Sequence, residues 1–183
     1  MHCHNEYDLP SALGLAQAVE SSKPLWIEDP MPVEYSESWL TLGRKSPVRI
    51  LTGEKLETPR EFLPFIANQA VHVVQPDLAF AGGITGARKI ADLAFLYHMP
   101  MTAHNVGSAV LNMATAHFGD STRNFLMMET RISQLALIEE MIEEPIQVIQ
   151  GQLHVSDRPG LGITLKPDVL RANLVEGEQY WDD

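Results

Sequence analysis

Cysteine is nearly absent from this sequence, which holds a single one, Cys3, among 183 residues. One cysteine excludes an internal disulfide and favours a reducing compartment, so we expect a cytoplasmic protein. Long apolar runs are also lacking, since no stretch approaches the ~20 residues that a membrane span requires. The opening MHCHNEYDLP has neither the basic nor the apolar region of a signal peptide.

Basic residues are scarce: 13 Lys and Arg stand against 24 Asp and Glu, for a formal net charge of −11. This balance disfavours nucleic acids and anionic membranes as partners, and it fits clustered acids that bind a cation. An apolar content of 45% is ordinary for a globular protein, and the length suffices for one domain with a packed core. Residues 1–183 therefore read as one domain.

The stretch from Val71 to His104 organises the chain. An apolar, β-branched run ends at Asp77, a helical pattern follows a Gly-Gly break, and a second strand-like run ends at His104. This is a strand–helix–strand unit, in which the two carboxyl ends lie on one face of a parallel sheet. We therefore expect Asp77 and His104 to form a hydrogen-bonded pair.

Polar residues close the predicted strands at regular intervals. They are separated by 26, 23, 27 and 25 positions, and they are Glu28, Glu54, Asp77, His104 and Glu129. A period near 25, with an acid or base closing each strand, is typical of a (β/α) barrel, because each unit returns the chain to the same rim. A full barrel takes ~250 residues. Five strands are clear, and a sixth is counted if one ends at Met1-His2-Cys3, so we expect part of a barrel whose first strands lie upstream or are missing.

The remaining elements follow from local patterns. Thr58 and Pro59, with Glu61 in a capping box, predict a helix start. Residues Ile146 to Val155 predict a β-hairpin around Gln150-Gly151. Further helices are expected at Leu9 to Ser22, Ser36 to Leu42, Gly107 to Phe118, Leu135 to Glu143 and Asp168 to Ala172.

The strand-end residues suggest a chemistry. Glu28 and Glu54, with Asp77 nearby, offer the oxygen ligands that Mg²⁺ prefers. Such a cation can hold a substrate carboxylate while a base removes the α-proton. His104 is the candidate base, with Asp77 orienting its ring, and Glu129 is a candidate acid on the side of the substrate carboxylate.

These pieces together resemble the enolase superfamily and, within it, the mandelate racemase group. The matching residues are Trp26-Ile27-Glu28-Asp29-Pro30, Thr52-Gly53-Glu54, Gln75-Pro76-Asp77 before Gly82-Gly83, His104, Glu129 and Pro159-Gly160-Leu161-Gly162. The resemblance implies the C-terminal portion of a modified (β/α)7β barrel. It also implies metal ligation by Glu28 and Glu54, a base dyad of Asp77 and His104, and an acid at Glu129. The muconate-lactonizing group carries Lys where Asp77 stands, so that group is disfavoured.

Two departures shape the expected reaction. In acid-sugar dehydratases of the family, the first metal carboxylate belongs to an Asp-x-His at the preceding strand end. His2 matches the His, which puts the Asp just before residue 1, and the spacing of Glu6 and Asp8 does not suit a substitute. The family's N-terminal capping domain, which selects the substrate, is also missing. With His2 as the acid, the resemblance favours dehydration of a sugar acid by a lyase.

Three alternatives stay open. One is a racemase or epimerase of a 2-hydroxy acid, and another is a non-catalytic, truncated fragment. The third starts from His2-Cys3-His4, which resembles the zinc site of amidohydrolase barrels and would make the chain a hydrolase. For the lead hypothesis, the expected partners are a small carboxylate substrate and Mg²⁺, and exposed barrel edges suggest a homo-oligomer.

Overall fold

The computed structural model describes residues 1–130 and 135–180. Five parallel strands form one sheet in the order β1-β2-β3-β4-β5: β1 is Ile27–Glu28, β2 Ile50–Thr52, β3 Val73–Val74, β4 Met101–Ala103 and β5 Phe125–Met128. A helix connects each strand to the next, as a parallel sheet requires. These connections are α2 (Glu37–Lys45), α3 (Pro59–Ala67), α4 (Gly83–Leu96) and α5 (Ala109–Asp120). The expected partial barrel of βα units is therefore confirmed.

A sixth chain segment lies beside β1, as the sequence predicted. His2 forms a parallel bridge with Glu28, and the backbone N–H of Cys3 donates to the Glu28 carbonyl at 2.9 Å. The Glu28 N–H donates in turn to the Met1 carbonyl at 2.7 Å. The amino-terminal residues thus extend the parallel sheet past its first named strand.

The strands are shorter than their apolar runs. Ladder bonding needs a partner directly across, and β3 pairs with β2 at Val73–Leu51 and Val74–Thr52 and with β4 at Val74–Met101. The expected strand start at Val71 was therefore too early, and the same holds for Pro24 before β1 and Met99 before β4. Val71 and Met99 are nevertheless buried in segments that lead into the sheet, whereas Leu25, after Pro24, is half exposed.

Helix ends follow their sequence signals. Asp8 caps α1 (Leu9–Val19), which continues as a single 3₁₀ turn at Glu20–Ser22, and its carboxylate accepts from the Ser11 N–H at 2.9 Å. The capping box of α3 forms as expected, with Glu61 Oε2 accepting from the Thr58 N–H at 3.0 Å. Among the described helices, none has the length and apolar character needed to cross a bilayer.

The core fills the space between the sheet and its helices. Its largest fully buried side chains are Trp39, Phe62, Phe65, Phe118 and Ile27. The carboxyl-terminal part adds α6 (Leu135–Glu140), an antiparallel hairpin of β6 (Val148–Ile149) and β7 (Gln152–Leu153), and α7 (Pro167–Ala172). Ile138 and Ile142 pack against the start of α5 in a second, small apolar cluster. This packing leaves the carboxyl ends of the five parallel strands as a single polar rim.

Candidate active site

The five strand-end residues predicted from the sequence meet at this rim. Glu28 is the last residue of β1, Glu54 and Asp77 follow β2 and β3, and His104 and Glu129 come directly after β4 and β5. His104 lies near the middle, because its strand is flanked on both sides by strands that carry acids. The structure thus brings together side chains that are up to about a hundred residues apart in sequence.

Asp77 and His104 form the expected pair. His104 Nδ1 lies 2.6 Å from Asp77 Oδ2, and both side chains are buried. The backbones are also joined, since the two residues form a parallel bridge and the His104 N–H donates to the Pro76 carbonyl at 3.2 Å. Asp77 Oδ1 accepts from the Ala79 N–H at 2.7 Å, so the carboxylate is held from both sides.

The second nitrogen of the His104 ring points toward two further acids. His104 Nε2 lies 3.4 Å from Glu54 Oε2 and 3.7 Å from Glu129 Oε2. Burial alone would lower the pKa of His104, but its hydrogen bond to Asp77 and the charges of Glu54 and Glu129 together raise that pKa above its ordinary value. The ring is therefore a stronger base than a free imidazole, with Asp77 fixing which nitrogen is available.

Glu129 lies on the open side of the rim. Its side chain is 40% exposed, against 8% for Glu54, so it is the acid that an incoming molecule meets first. The Asn105 N–H donates to Glu129 Oε2 at 3.3 Å, and the Asn105 side chain donates to the Glu129 carbonyl at 3.1 Å. These bonds connect the loop after β4 to the end of β5.

On the other side of His104, three acids crowd around His2. Its Nδ1 lies 3.8 Å from Glu28 Oε1, and its Nε2 lies 3.6 Å from Glu54 Oε2 and 3.8 Å from Asp29 Oδ2. Burial and the charges of Asp29, Glu129 and Glu54 raise the pKa of Glu28 to about 7. Burial also raises the pKa of Asp29, while burial lowers the pKa of His2. The cluster therefore holds more negative charge than its surroundings can neutralise.

Two oxygen atoms of this cluster lack hydrogen bonds. Among the described residues, Asp29 Oδ2 and Glu54 Oε2 are buried and take part in no hydrogen bond. Buried carboxylates without partners are costly, and a cation among them relieves both the repulsion and the missing bonds. Oxygen donors are the ligands that a hard divalent cation takes. The oxygen donors present thus fit Mg²⁺.

Sequence reasoning missed several residues of the site. Asp29 was part of a quoted motif but received no role, although it is 1% exposed and its other oxygen accepts from Thr52 Oγ1 at 2.5 Å. Its place directly after Glu28 was the available signal. Asn105 and Asn112, joined by a 2.9 Å hydrogen bond, were also missed. Their pairing depends on the turn into α5, which no local pattern indicated.

Comparison with known proteins agrees with this geometry. Residues 1–169 match the family described as Enolase C-terminal domain-like. The chain is 34% identical to D-xylonate dehydratase of Haloferax volcanii over 181 residues, which cover 99% of this chain and 44% of that protein. It is 29% identical to D-galactonate dehydratase of Xanthomonas campestris pv. campestris, covering 93% of this chain and 46% of the relative.

Solved structures show the same architecture. A mandelate racemase/muconate lactonizing enzyme-like protein from Rubrobacter xylanophilus superposes with a TM-score of 0.92 at 30% identity, over 99% of this chain and 46% of its own. An enolase from Agrobacterium radiobacter, solved with bound Na and L-malate, superposes with a TM-score of 0.85 at 27% identity, over 98% of this chain and 48% of its own.

This chain belongs to the Enolase C-terminal domain-like family, with mandelate racemase-type proteins among its structural neighbours. Family membership decides against the amidohydrolase alternative. The chain spans less than half the length of each relative named above.

Proposed function

We propose that this chain forms the C-terminal barrel domain of an Mg²⁺-dependent acid-sugar dehydratase, a carbon–oxygen lyase. The names of its relatives support the substrate class, since they include dehydratases of D-xylonate and D-galactonate. The residues of the rim support the reaction, because they combine a base, a set of cation ligands and further acids in one place. The domain assignment covers residues 1–183.

The proposal rests on the Asp77–His104 pair, in which His104 Nε2 is directed at the rim. Asp77 holds the Nδ1–H of the ring, so Nε2 has the lone pair that can accept a proton. In the proposed reaction, Nε2 takes the proton on the carbon next to the substrate carboxylate. The acids around His104 favour the imidazolium that results, in keeping with the direction of its raised pKa.

The second half of the reaction removes the β-hydroxyl. An imidazole of the amino-terminal pair, expected at His2, donates a proton to this hydroxyl, which leaves as water while the C2–C3 double bond forms. The enol then takes up a proton at C3 and becomes a 2-keto-3-deoxy acid, so that the net change is the loss of one water. His2 and His4 stack with ring centroids 3.9 Å apart, which puts two imidazoles at this position.

The cation site lies between these two halves. Glu28 and Glu54 would hold Mg²⁺, with the buried Asp29 beside them. When bound, the cation supplies positive charge that holds the substrate carboxylate and stabilises the negative charge that develops as the α-proton leaves. Glu129 faces the same space from β5 and would donate a hydrogen bond to the substrate carboxylate.

Assembly and location are part of the proposal. The β5 edge exposes Leu126 and Met127 to about half of their full extent, and an exposed apolar edge strand favours pairing with a second copy. We therefore infer a homo-oligomer. A single cysteine, Cys3, is consistent with the reducing cytoplasm.

The test measures exchange of the substrate α-proton and dehydration to the keto acid in the same experiment. The chain is incubated in D₂O with Mg²⁺ and a panel of sugar acids, while NMR follows loss of the α-proton signal and formation of the keto acid. We expect exchange and dehydration of at least one acid, both abolished by His104→Asn and retained by His98→Asn, a matched change at an exposed histidine at the end of α4. Exchange that returns the hydroxy acid inverted, without keto acid, would instead identify a racemase. Binding of Mg²⁺ without exchange of any acid would contradict the proposal.

A further inference from the structure

The position of His2 is set by the backbone rather than by its side chain alone. The parallel bridge to Glu28 puts the two residues level with each other at the ends of adjacent strands. Hydrogen bonds on both sides of the bridge hold this register. His2 is therefore level with Glu28, the first acid of the rim. The sequence pattern had assigned this level to an Asp upstream of His2.

The ring of His2 faces the two unpartnered oxygens. Its Nε2 lies 3.6 Å from Glu54 Oε2 and 3.8 Å from Asp29 Oδ2, the buried oxygens that have no hydrogen bond among the described residues. Ligand atoms bound to one cation at about 2.0–2.2 Å lie roughly 3 to 3.5 Å apart. His2 Nε2 thus lies within a few tenths of an ångström of this spacing from each of the two oxygens.

The other nitrogen of the ring faces a carboxylate. Nδ1 lies 3.8 Å from Glu28 Oε1. A metal-bound imidazole in proteins commonly has an acid at its second nitrogen, which fixes the tautomer and makes the ligand more basic. Thr52 Oγ1 holds the remaining oxygen of Asp29, so that Oδ2 stays directed at the ring.

We propose that His2 is a direct nitrogen ligand of the cation, through Nε2, in a mixed site with the carboxylates of Glu28 and Glu54 and with Asp29 beside them. This inference rests on the proposed function in that it concerns the same rim. The role of His2 thereby changes from proton donor to metal ligand. His4, which is exposed and stacks on the His2 ring, is then the imidazole that can donate a proton. Donor atoms of His2, His4 and Glu54 lie within 4.8 Å of one another, so His4 is close enough for this role.

A nitrogen ligand changes which metal the site prefers. Sites made only of oxygen suit Mg²⁺, whereas an imidazole favours first-row transition metals such as Mn²⁺, Co²⁺ and Zn²⁺. The site should therefore bind Co²⁺ at least about tenfold more tightly than Mg²⁺. A carboxylate at the same position should restore the preference for Mg²⁺.

The experiment measures binding and ligation without reference to activity. The chain, prepared without a polyhistidine tag, is titrated calorimetrically with MgCl₂ and CoCl₂. In parallel, electron spin-echo spectroscopy of bound Mn²⁺ detects nitrogen coupled to the metal. We expect nitrogen coupling in the wild type, lost in His2→Asn. The same substitution should lower Co²⁺ affinity about tenfold or more while changing Mg²⁺ affinity less than about threefold. His2→Asp should favour Mg²⁺.

Matched variants separate His2 from the other imidazoles. His98→Asn makes the same change far from the rim, and His4→Asn removes the stacked ring; both should keep the nitrogen coupling. Coupling that persists in His2→Asn, or its absence from the wild type with metal bound, would overturn the inference while leaving the dehydratase proposal intact. No binding of Mg²⁺, Mn²⁺ or Co²⁺ would also overturn it. Nitrogen ligation in a chain that exchanges no sugar acid would support the inference and contradict the dehydratase.

Discussion

His104 Nδ1 and Asp77 Oδ2 lie 2.6 Å apart, although 27 residues separate them in sequence. The parallel bridge between their backbones forms the contact, and the turn bond from Ala79 holds the carboxylate in place. The ring therefore keeps one tautomer and one orientation, with Nε2 directed at the open rim.

The first prediction concerns the carboxylate of Asp77. Asp77→Asn keeps the size of the side chain but removes the charge that favours the imidazolium, so the pKa of His104 should fall. NMR titration of the His104 ring protons measures this directly. Activity should drop by about 10²- to 10⁴-fold, as for loss of a positioned base partner.

Asp92→Asn provides the control for this variant. Asp92 is an exposed acid on α4 that pairs with Arg88 at 3.6 Å, so the same substitution there should leave both the titration and the rate unchanged. An unchanged His104 titration in Asp77→Asn would refute the assigned pairing.

The second prediction concerns the cation. Glu54→Gln removes a buried charge at the centre of the acid cluster, and we expect it to abolish Mg²⁺ binding in a calorimetric titration. Binding to the native state stabilises it, by about 2.7 kcal/mol at a hundred times the dissociation constant, so Mg²⁺ should raise the melting temperature of the wild type but not of the variant. Glu57→Gln, at an exposed loop position three residues away, should behave like the wild type.

The third prediction concerns pH and stability in the absence of metal. Burial and nearby acids raise the pKa of Glu28 from its ordinary value of 4.5 to about 7. Between these two values the unfolded chain has lost the proton and the folded protein still holds it. The free energy of unfolding must therefore fall as the pH rises through this window, by at most about 1.4 kcal/mol per pH unit for one group.

The variant Glu28→Gln tests whether the free energy of unfolding falls with rising pH because of Glu28. Urea unfolding in EDTA at several pH values between 4.5 and 7 should show a shallower decline for the variant than for the wild type. The exposed control Glu57→Gln should reproduce the slope of the wild type. Equal slopes for all three proteins would mean that Glu28 titrates normally in the folded state.

The fourth prediction concerns the turn that positions Asp77. A Cβ at Gly86 would lie 1.6 Å from the backbone carbonyl of Ala81, so α4 could not pack on the turn after β3 without moving. We expect Gly86→Ala to lower the free energy of unfolding by about 2 kcal/mol or more and to weaken catalysis through displacement of Asp77.

Gly14→Ala is the opposite case. Gly14 is inside α1, and a Cβ there would have no atom within 4 Å. Alanine should therefore raise stability by about 0.5–1 kcal/mol. Urea unfolding measures the stability of both variants. A Gly86→Ala protein as stable as the wild type would show that the turn after β3 can move to accommodate the added methyl group.

Much of the fold could be predicted because its signals are local. The apolar runs, the capping box at Thr58 and the Gln150-Gly151 turn each need only a few neighbouring residues, and each appears as expected. Strand starts were less predictable, because pairing depends on the residue across the ladder. The helix predicted from Leu135 to Glu143 ends three residues earlier, at Glu140.

The candidate site was predicted in outline for the same reason. Regular spacing of strand ends, with an acid or base at each, is enough to bring Glu28, Glu54, Asp77, His104 and Glu129 to one rim. The individual roles of these residues, of His2 as an acid and of the metal remain predictions, which the experiments above address. Asp29 escaped notice because an acid before Pro30 is usually exposed, and only the packing around β1 and β2 buries it.

Periodicity and strand ends are properties of the chain, so the order of the βα units and the polar rim could be predicted from the sequence. Two features appear only in the folded protein: His2 is level with Glu28, and two buried carboxylate oxygens make no hydrogen bond among the described residues. Register between neighbouring strands and burial of single atoms both depend on packing across the whole sheet. That packing sums many weak contacts between residues far apart in the chain, and no short stretch of sequence contains it.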